Sequence, residues 1–337
     1  MIQLKEVSSS TDWENFLLEQ EESNFLQSWY WGEFHKNLRQ KIQRTGFYKN
    51  GKLKGVMLSI VEDARRGKYL IVPGGPIIDW KDKEITHAFV KEIKKIAYLN
   101  DCAFVRVRPQ LISNDFSKKL FKDLGFVDAP MHLHAESTSQ LDITKSEEEL
   151  LRNMRKTTRH ELKKANSLKI EIIEVSDPKE IRQFYKLQIQ TSKRQRFIPF
   201  SYEYLYEQFK EFAQNNMAIL YKAKVKNKLL AEAFIIFYGK EAVYHFGAST
   251  DEGRKYPGAY LIQWEAIRQA KKRKLTRYNL WGVANDPKHR FYGLSLFKRG
   301  FGGEDKEYLH AQDLVLNYPK YAINFAVEII RKIRRNV

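Results

Sequence analysis

The chain has 337 residues, 43% of them hydrophobic and 13% aromatic, so it can bury a sizeable core as one large or two ordinary domains, and extended disorder is excluded. Lys and Arg number 59 against 41 Asp and Glu; the formal charge of +18 attracts polyanions such as nucleic acid, nucleotide-linked substrates or an anionic membrane face. The single cysteine, Cys102, excludes an internal disulfide framework and fits a reducing compartment; at the head of the apolar run Ala103-Phe104-Val105 it reads as a buried, inert thiol.

The N-terminal segment Met1–Glu6 lacks the apolar stretch and small-residue cleavage site of a signal peptide. No stretch approaches the ~20 apolar residues of a membrane span, so a cytoplasmic protein is expected. In chain order, a helix is expected around Thr11–Leu17. Arg44–Tyr48 reads as a strand, Asn50-Gly51 as a hairpin turn in which positive φ is cheap, and Leu53–Val61 and Lys68–Val72 as further strands. Ile85–Leu99 places Ile85, Phe89, Ile93 and Ile96 on one helical face, and Phe104–Val107 reads as a strand. The same order then returns. A helix spans Glu147–Ala165, strand Met217–Val225 turns at Lys226-Asn227, and Leu229–Tyr238 and Glu241–Ala248 follow as strands. Helix Pro257–Lys272 carries Leu261, Trp264, Ile267 and Ala270 on one face, and Tyr278–Trp281 is a strand. Lys49-Asn50-Gly51-Lys52-Leu53 and Lys226-Asn227-Lys228-Leu229 occupy the same place in the two halves. A helix over Lys320–Arg335 ends the chain.

Helix, hairpin, strand, helix, strand, given twice, resembles the layout of the GNAT acyltransferase fold. The expected class is α+β, with tandem duplicated GNAT-like domains. The first would span 1–142, completed by the C-terminal helix 318–337, and the second 143–317.

Three segments carry candidate chemistry. Leu150–Lys164 (LLRNMRKTTRHELKK) reads as one short helix with Arg152, Arg155, Lys156, Arg159 and Lys163 on roughly one flank and Lys164 beside them. Such a flank suits phosphate contacts, because like charges at i,i+4 cost roughly a few tenths of a kcal/mol each unless a partner offsets them; a solvated helix face is the alternative. In Phe291–Glu304 (FYGLSLFKRGFGGE), Lys298 and Arg299 lie between aromatics and glycines, where a lysine can hold a phosphate or stabilise charge developing on a carbonyl oxygen; alone, the segment reads as a surface turn. In Asp251–Gln263, Pro257-Gly258 opens a helix where GNAT enzymes bind the coenzyme A pyrophosphate, but Lys255 replaces the expected Arg or Gln and Tyr260 the expected Gly or Ala, so coenzyme A fits poorly. His132 and His134 alternate on an apparent strand, Met131–Leu133, with no third ligand nearby. His245 lies between Tyr244 and Phe246, and no metal is expected. No Gly-x-Ser-x-Gly nucleophile motif occurs.

Gly258–Ala284 (GAYLIQWEAIRQAKKRKLTRYNLWGVA) resembles the Fem, or FemABX, family. So do Phe25–Lys36 (FLQSWYWGEFHK), Val72–Asp79 (VPGGPIID), Asn153–Lys164 and Gly293–Glu304 with its Phe-Lys-Arg-Gly-Phe core, all in order along nearly the whole chain. The resemblance implies two GNAT-like domains that add amino acids to the stem peptide of a peptidoglycan precursor, with aminoacyl-tRNA as donor and co-substrate and no further cofactor. The acceptor would be lipid II or its soluble UDP-linked precursor. Lys298 matches the lysine the family places at the reaction centre, beside Phe297. Lys36, or His35 if the register slips, matches a lysine contacting the nucleotide-diphosphate sugar. Tyr204 matches a tyrosine of that pocket, and Tyr244 or Phe246 another aromatic there. Some positions depart from the family's pattern: Gly74 replaces a basic residue before Gly-Pro, Arg108 replaces an acidic residue before Pro109, and the arginine expected near Phe200 is absent, with Arg194 and Arg196 close by. The long helical hairpin that some members insert is missing, which marks a compact form without a coiled-coil insertion.

The implied reaction is attack by a stem-peptide amine on the aminoacyl ester, with Arg152, Arg155, Lys156, Arg159, Lys163 and Lys164 holding the tRNA. An N-acyltransferase using an acyl-CoA or carrier thioester, and a non-catalytic RNA-binding protein, are the competing readings. The C-terminal helix is basic and partly apolar at Phe325, Ile329, Ile330 and Ile333, which suits peripheral contact with the anionic inner leaflet; packing of that face against the first domain is the expected explanation. A monomer is expected.

Overall fold

A computed structural model describes residues 1–195 and 197–335; Arg196 and the 336–337 end of the expected first domain lie outside the described residues. The first stretch runs β1 (Ile2–Glu6), α1 (Ser10–Glu19), α2 (Trp29–Asn37), β2 (Ile42–Lys49), β3 (Lys52–Ala64), β4 (Gly67–Pro73), β5 (Ile77–Ile78), α3 (Lys83–Leu99), β6 (Cys102–Arg108), α4 (Asp115–Asp123) and β7 (Val127–Asp128). Next come β8 (Ser137–Asp142), α5 (Glu147–Asn153), α6 (Lys156–Ser167), β9 (Glu171–Val175), α7 (Ile181–Gln195), α8 (Tyr202–Gln214), β10 (Ala218–Val225), β11 (Lys228–Tyr238), β12 (Glu241–Ser249), α9 (Gly258–Lys272), β13 (Arg277–Gly282), α10 (Tyr292–Arg299) and β14 (Glu304–Glu307). The chain closes with β15 (Gln312–Val315) and α11 (Tyr318–Arg335).

These elements form two compact units, Met1–Glu136 with the stretch from Glu307 onward, and Ser137–Lys306. The boundaries fall earlier than 142/143 and 317 because strand pairing decides them. β8 hydrogen-bonds β13 in the second sheet, and β15 pairs with β6 and β7 in the first.

The first unit's sheet has the order β1-β2-β3-β4-β6-β15-β7, with β5 on β3. Asn50 (φ 53°) and Gly51 (φ 74°) make the turn that sets Lys49 opposite Lys52. Asp82 caps α3 by accepting from the Glu84 and Ile85 N–H groups at 2.9 and 3.2 Å. The face Ile85, Phe89, Ile93 and Ile96 is buried in one cluster with Phe47, Leu70 and Val105, each such side chain stabilising by about 1.5–3 kcal/mol. Cys102 is buried, and that burial pushes its thiol up to about 11, the inert state its sequence context suggests. Phe25–Lys36 and Val72–Asp79 interlock through two amides. Asn24 donates to the Gly74 carbonyl at 2.8 Å; Gln27 donates to the Pro73 carbonyl at 2.7 Å and accepts from the Leu58 N–H at 2.8 Å. A Cβ at Gly75 would run into the Gln27 amide, so this close approach requires glycine.

α11 is held on the first unit by polar groups. Arg106 of β6 makes a bidentate pair with Asp313, both contacts at 2.8 Å, and reaches Glu328 of α11 at 2.9 Å. Tyr321 donates to Asp313 at 3.1 Å, and Asn324 accepts from Arg66 at 3.0 Å. Of the face expected to pack, Ile329 is half-buried, but Phe325, Ile330 and Ile333 face outward together with Ile323, while Tyr321, Asn324 and Glu328 are buried.

The second unit's sheet has the order β14-β8-β13-β12-β11-β10-β9. One face is covered by α6 and α9, whose Leu162, Ala165, Leu261 and Ile267 join Tyr221, Ile235 and Tyr278 in one core. The other face carries α7 and α8, with Phe209 edge-on to Phe234 at 5.0 Å. Three local expectations need correction. The single basic helix is two: Met154 (ψ 151°) and Arg155 (ψ 149°) are extended because the Arg155 N–H is taken by the Gly300 carbonyl at 3.0 Å. Phe291–Glu304 is no surface turn; α10 occupies most of it, with Ser295 and Lys298 buried. Met131–Leu133 forms no strand. Among the described residues no long helical hairpin interrupts the second unit, α6 leading directly to β9.

Candidate functional site

The second unit contains one place where its sheet opens. β12 and β13 pair in parallel only over Glu241–Val243 against Arg277–Asn279. Beyond that both strands lose regularity. On β12, Phe234 faces Phe246 and Ile235 faces Tyr244, leaving His245 as an extra, bulged residue. On β13, pairing with β8 skips from Asn279 to Gly282, and Trp281 sits at φ 63° with its N–H donating to the Asn279 side chain at 2.9 Å. Past Val243 and Asn279 the two strands are no longer paired, which leaves a wedge between them filled by side chains.

The bulge sends neighbouring aromatics to opposite faces. Tyr244 packs against the core under α9, whereas Phe246 lies against Phe234 (6.0 Å) and Phe200 (5.4 Å) on the α7/α8 side. His245 approaches Trp281 at 5.8 Å across the wedge and accepts from the Gln208 amide at 3.0 Å; burial pushes it down to about 3, so the ring stays neutral. Tyr244, pushed up to about 12 by burial, keeps its proton.

Lys298 spans the wedge from α10. It is 6% exposed, and its ammonium donates to the Gly282 carbonyl at 2.6 Å and stands 5.7 Å from the centre of the Tyr244 ring. Burial pushes Lys298 down to about 7, so it exchanges its proton near neutrality. α10 is fixed by its neighbours. Phe297 packs edge-on against Tyr260 (4.8 Å) and Phe301 (5.4 Å), Ser295 accepts from the Ala284 N–H at 2.7 Å, and Arg299 pairs with Asp305 at 2.7 Å.

The other sequence-selected residues fall into three groups. On the α7/α8 side, Arg194 pairs with Asp251 at 2.7 Å and donates to the Ser249 carbonyl at 2.9 Å, and Tyr204 stacks on Phe200 at 4.5 Å, so Arg194, Tyr204 and Phe246 gather beside β12. On the α9 side lie the basic residues. Lys156, Lys163 and Lys164 are exposed on α6, Arg155 precedes its first turn beside Gly300, and Arg152 ends α5 within 4.0 Å of Glu149. Arg159 departs from the expected flank. Its guanidinium donates to the Arg152 and Met154 carbonyls, closing the C-terminus of α5. Lys36 lies in the first unit, exposed on α2, paired with Glu33 at 2.9 Å and 6.0 Å from the Trp29 ring. The alternative, His35, is buried and pushed down to about 4, which leaves Lys36 as the residue available to a ligand.

Sequence reasoning missed the pair Lys222–Glu232, buried at 3.2 Å, in which burial pushes Glu232 up to about 7. Its signal was a charged residue at an inward position of the apolar run Leu230–Phe237. Among the described residues no group of three or more His, Cys, Asp or Glu side chains is placed to hold a metal ion, and no helix is long and apolar enough to cross a membrane.

Two mixed α/β units of this strand order in tandem define a tandem GNAT-like fold. A crystal structure of FemX superposes with a TM-score of 0.85 at 18% identity, covering 96% of this chain and 100% of that one. A tandem GNAT protein from the clavulanic acid biosynthesis pathway superposes at 0.61 with 8% identity, covering 94% and 98%. The FemAB family model matches residues 8–229 and 219–328, and the chain belongs to that family. It is 23% identical to Aminoacyltransferase FemA of Staphylococcus aureus (strain bovine RF122 / ET3-1), over 84% of this chain and 87% of the relative. Aminoacyltransferase FemA of Staphylococcus epidermidis is 22% identical over 84% and 88%. The protein is an aminoacyltransferase.

Proposed function

We propose that the chain transfers an amino acid from aminoacyl-tRNA to the stem-peptide amine of a peptidoglycan precursor, building interpeptide bridges. The observation that carries this reading is the wedge with Lys298 across it. Where the two strands stop pairing, two large substrates approaching from opposite faces of the sheet would meet beside Lys298. The tRNA lies on the α6/α9 side, its phosphates against Lys156, Lys163 and Lys164 and the residues Arg152 and Arg155 before that helix. The precursor lies on the α7/α8 side against Arg194, Tyr204 and Phe246, whether lipid-linked or UDP-linked. Lys36, exposed on α2 of the first unit, has the charge and reach to hold a diphosphate.

The ester is already activated, so catalysis is mainly juxtaposition and charge stabilisation. A lysine-type acceptor amine, with a free pKa of ~10.4, must lose a proton before attack, and a desolvated site favours its neutral form. As the amine adds to the ester carbonyl, the protonated Lys298 stabilises the oxyanion of the tetrahedral intermediate. Collapse breaks the ester C–O bond; the proton given up by the attacking nitrogen ends on the departing ribose oxygen, leaving a free tRNA hydroxyl and a new amide. Phe297 holds α10 in place through Tyr260. No cofactor is called for, aminoacyl-tRNA being the co-substrate. The protein acts as a monomer in the cytoplasm, peripheral at the inner face of the plasma membrane.

The test is product mass from purified protein given charged tRNA pools and both precursor forms. An acceptor heavier by one or more amino-acid residues, lost after ribonuclease, is expected. Undiminished product after ribonuclease with only a thioester donor would overturn the assignment in favour of a coenzyme A or carrier-thioester acyltransferase.

A further inference from the structure

α11 turns its apolar side to solvent. Ile333 is 74% exposed, Ile323 58%, Ile330 47% and Phe325 39%. At about 100° per residue these four, with Ala322, Ala326 and the half-buried Ile329, fall on one arc, and the buried Tyr321, Asn324 and Glu328 fall on the opposite side. Surface helices ordinarily bury such a stripe. Here the Arg106–Glu328 and Arg66–Asn324 contacts fix the helix the other way round.

The charges beside the arc are predominantly basic, the exposed Asp63 opposite Lys68 being an exception. Lys320, Arg331, Lys332 and Arg334 are exposed along the helix, and Arg65 and Lys68 are exposed in the β3–β4 hairpin that Arg66 ties to it. The acidic residue of α11, Glu328, is buried and paired. A two-fold contact between copies would set one basic helix against another. An anionic lipid surface instead complements both the arc and its flanks, and α11 is too polar to span a bilayer.

We propose that α11 lies in the plane of an anionic bilayer surface, with Ile323, Phe325, Ile330 and Ile333 sunk among the headgroups and the flanking Lys and Arg on lipid phosphates. This deepens the peripheral location given above. It is read without either substrate, so its failure leaves the transfer reaction standing, and the reverse holds.

The experiment is co-sedimentation of the whole chain with phosphatidylcholine vesicles, with and without phosphatidylglycerol. Binding is expected only with phosphatidylglycerol and should fall as salt rises. I330S/I333S should weaken it at least tenfold, since burying an isoleucine stabilises by a comparable factor. K332E/R334E should also weaken it at least tenfold, at about fivefold for each charge lost. All four residues are exposed, so both variants should keep the unfolding midpoint of the parent. No sedimentation with phosphatidylglycerol vesicles overturns the proposal, as does binding that the isoleucine substitutions leave unchanged. A doubled mass in light scattering that the same substitutions abolish also overturns it, making a second copy the occupant.

Discussion

Sixteen residues apart in sequence, Lys298 and Gly282 are joined by a 2.6 Å hydrogen bond in which a buried ammonium donates to a main-chain carbonyl at the end of a broken strand. The carbonyl is available because β13 leaves regular pairing between Asn279 and Gly282. The lysine is therefore tied to the backbone irregularity that opens the sheet, and burial holds it near 7 with no carboxylate offsetting the loss of solvation.

Lys298→Met should abolish most amino-acid transfer while leaving the fold intact. It also has a signature in stability. Folding lowers the Lys298 pKa from 10.5 to about 7, so between those values the unfolded chain binds more protons than the native one, and the wild type gains stability as pH rises through that window. Lys298→Met removes this gain. The variant should be more stable than the parent at pH 7 and below, by on the order of a few kcal/mol, and the difference should shrink toward pH 10. Urea unfolding at several pH values measures it. A parallel pH dependence in the two proteins would refute the buried charge, and near-wild-type transfer would refute its role.

Tyr244 lies over Gly247, and a Cβ there would overlap the tyrosine hydroxyl. Gly247→Ala should cost about 1–3 kcal/mol and move the ring away from Lys298, lowering turnover. In the Tyr244→Ala background the same substitution should cost little, because the clash is gone. A double-mutant cycle by urea unfolding reads the coupling, and additive effects would show that the two positions do not press on each other.

Local chemistry made much of this molecule legible in its sequence. Asn50-Gly51 and Lys226-Asn227 turn where expected, because Asn and Gly adopt positive φ cheaply; Lys226 (φ 45°) follows the turn its neighbour sets. Ile85 through Ile96 reads as a helix because its period is its own. What escaped depends on partners far along the chain. The basic helix breaks because the Arg155 N–H finds the Gly300 carbonyl, and Tyr244 and Phe246 part because β11 counts one residue fewer than β12. The amphipathicity of α11 was plain, but which side packs was set by Arg106, on a strand that no local pattern connects to it. The motifs around Gln27 and Gly75 were recognisable as strings; their reason, an amide clamped between two segments, appears only in three dimensions.

Asp313 accepts both guanidinium contacts of the buried Arg106 and the Tyr321 hydroxyl. Asp313→Ala leaves Arg106 with Glu328 alone inside the first unit and should cost about 3–5 kcal/mol, the range for stripping one partner from a buried pair. Arg106→Met combined with Asp313→Leu and Glu328→Leu should recover a good part of that loss, since no charge is then stranded. Denaturant unfolding tests both. A triple variant as unstable as Asp313→Ala would mean that the ion pair is not the source of the cost.

The six basic residues from Arg152 to Lys164 should separate into two kinds. Lys156, Lys163 and Lys164 are exposed, and each phosphate they neutralise should contribute about 0.7–0.9 to the slope of log affinity for tRNA against log salt. Replacing all three by Gln should weaken tRNA binding and flatten that slope by roughly two units, with the unfolding midpoint unchanged. Arg159 spends its guanidinium on the carbonyls of Arg152 and Met154 at the end of α5. Arg159→Ala should therefore cost about 1 kcal/mol of stability or more, and it should leave the salt slope nearly as steep as in the parent. Filter binding from low to moderate salt, paired with urea unfolding, distinguishes the two. A triple variant with the parent's slope would move the tRNA off this face of the second unit, and an Arg159→Ala chain that lost slope rather than stability would return Arg159 to the phosphate-binding set.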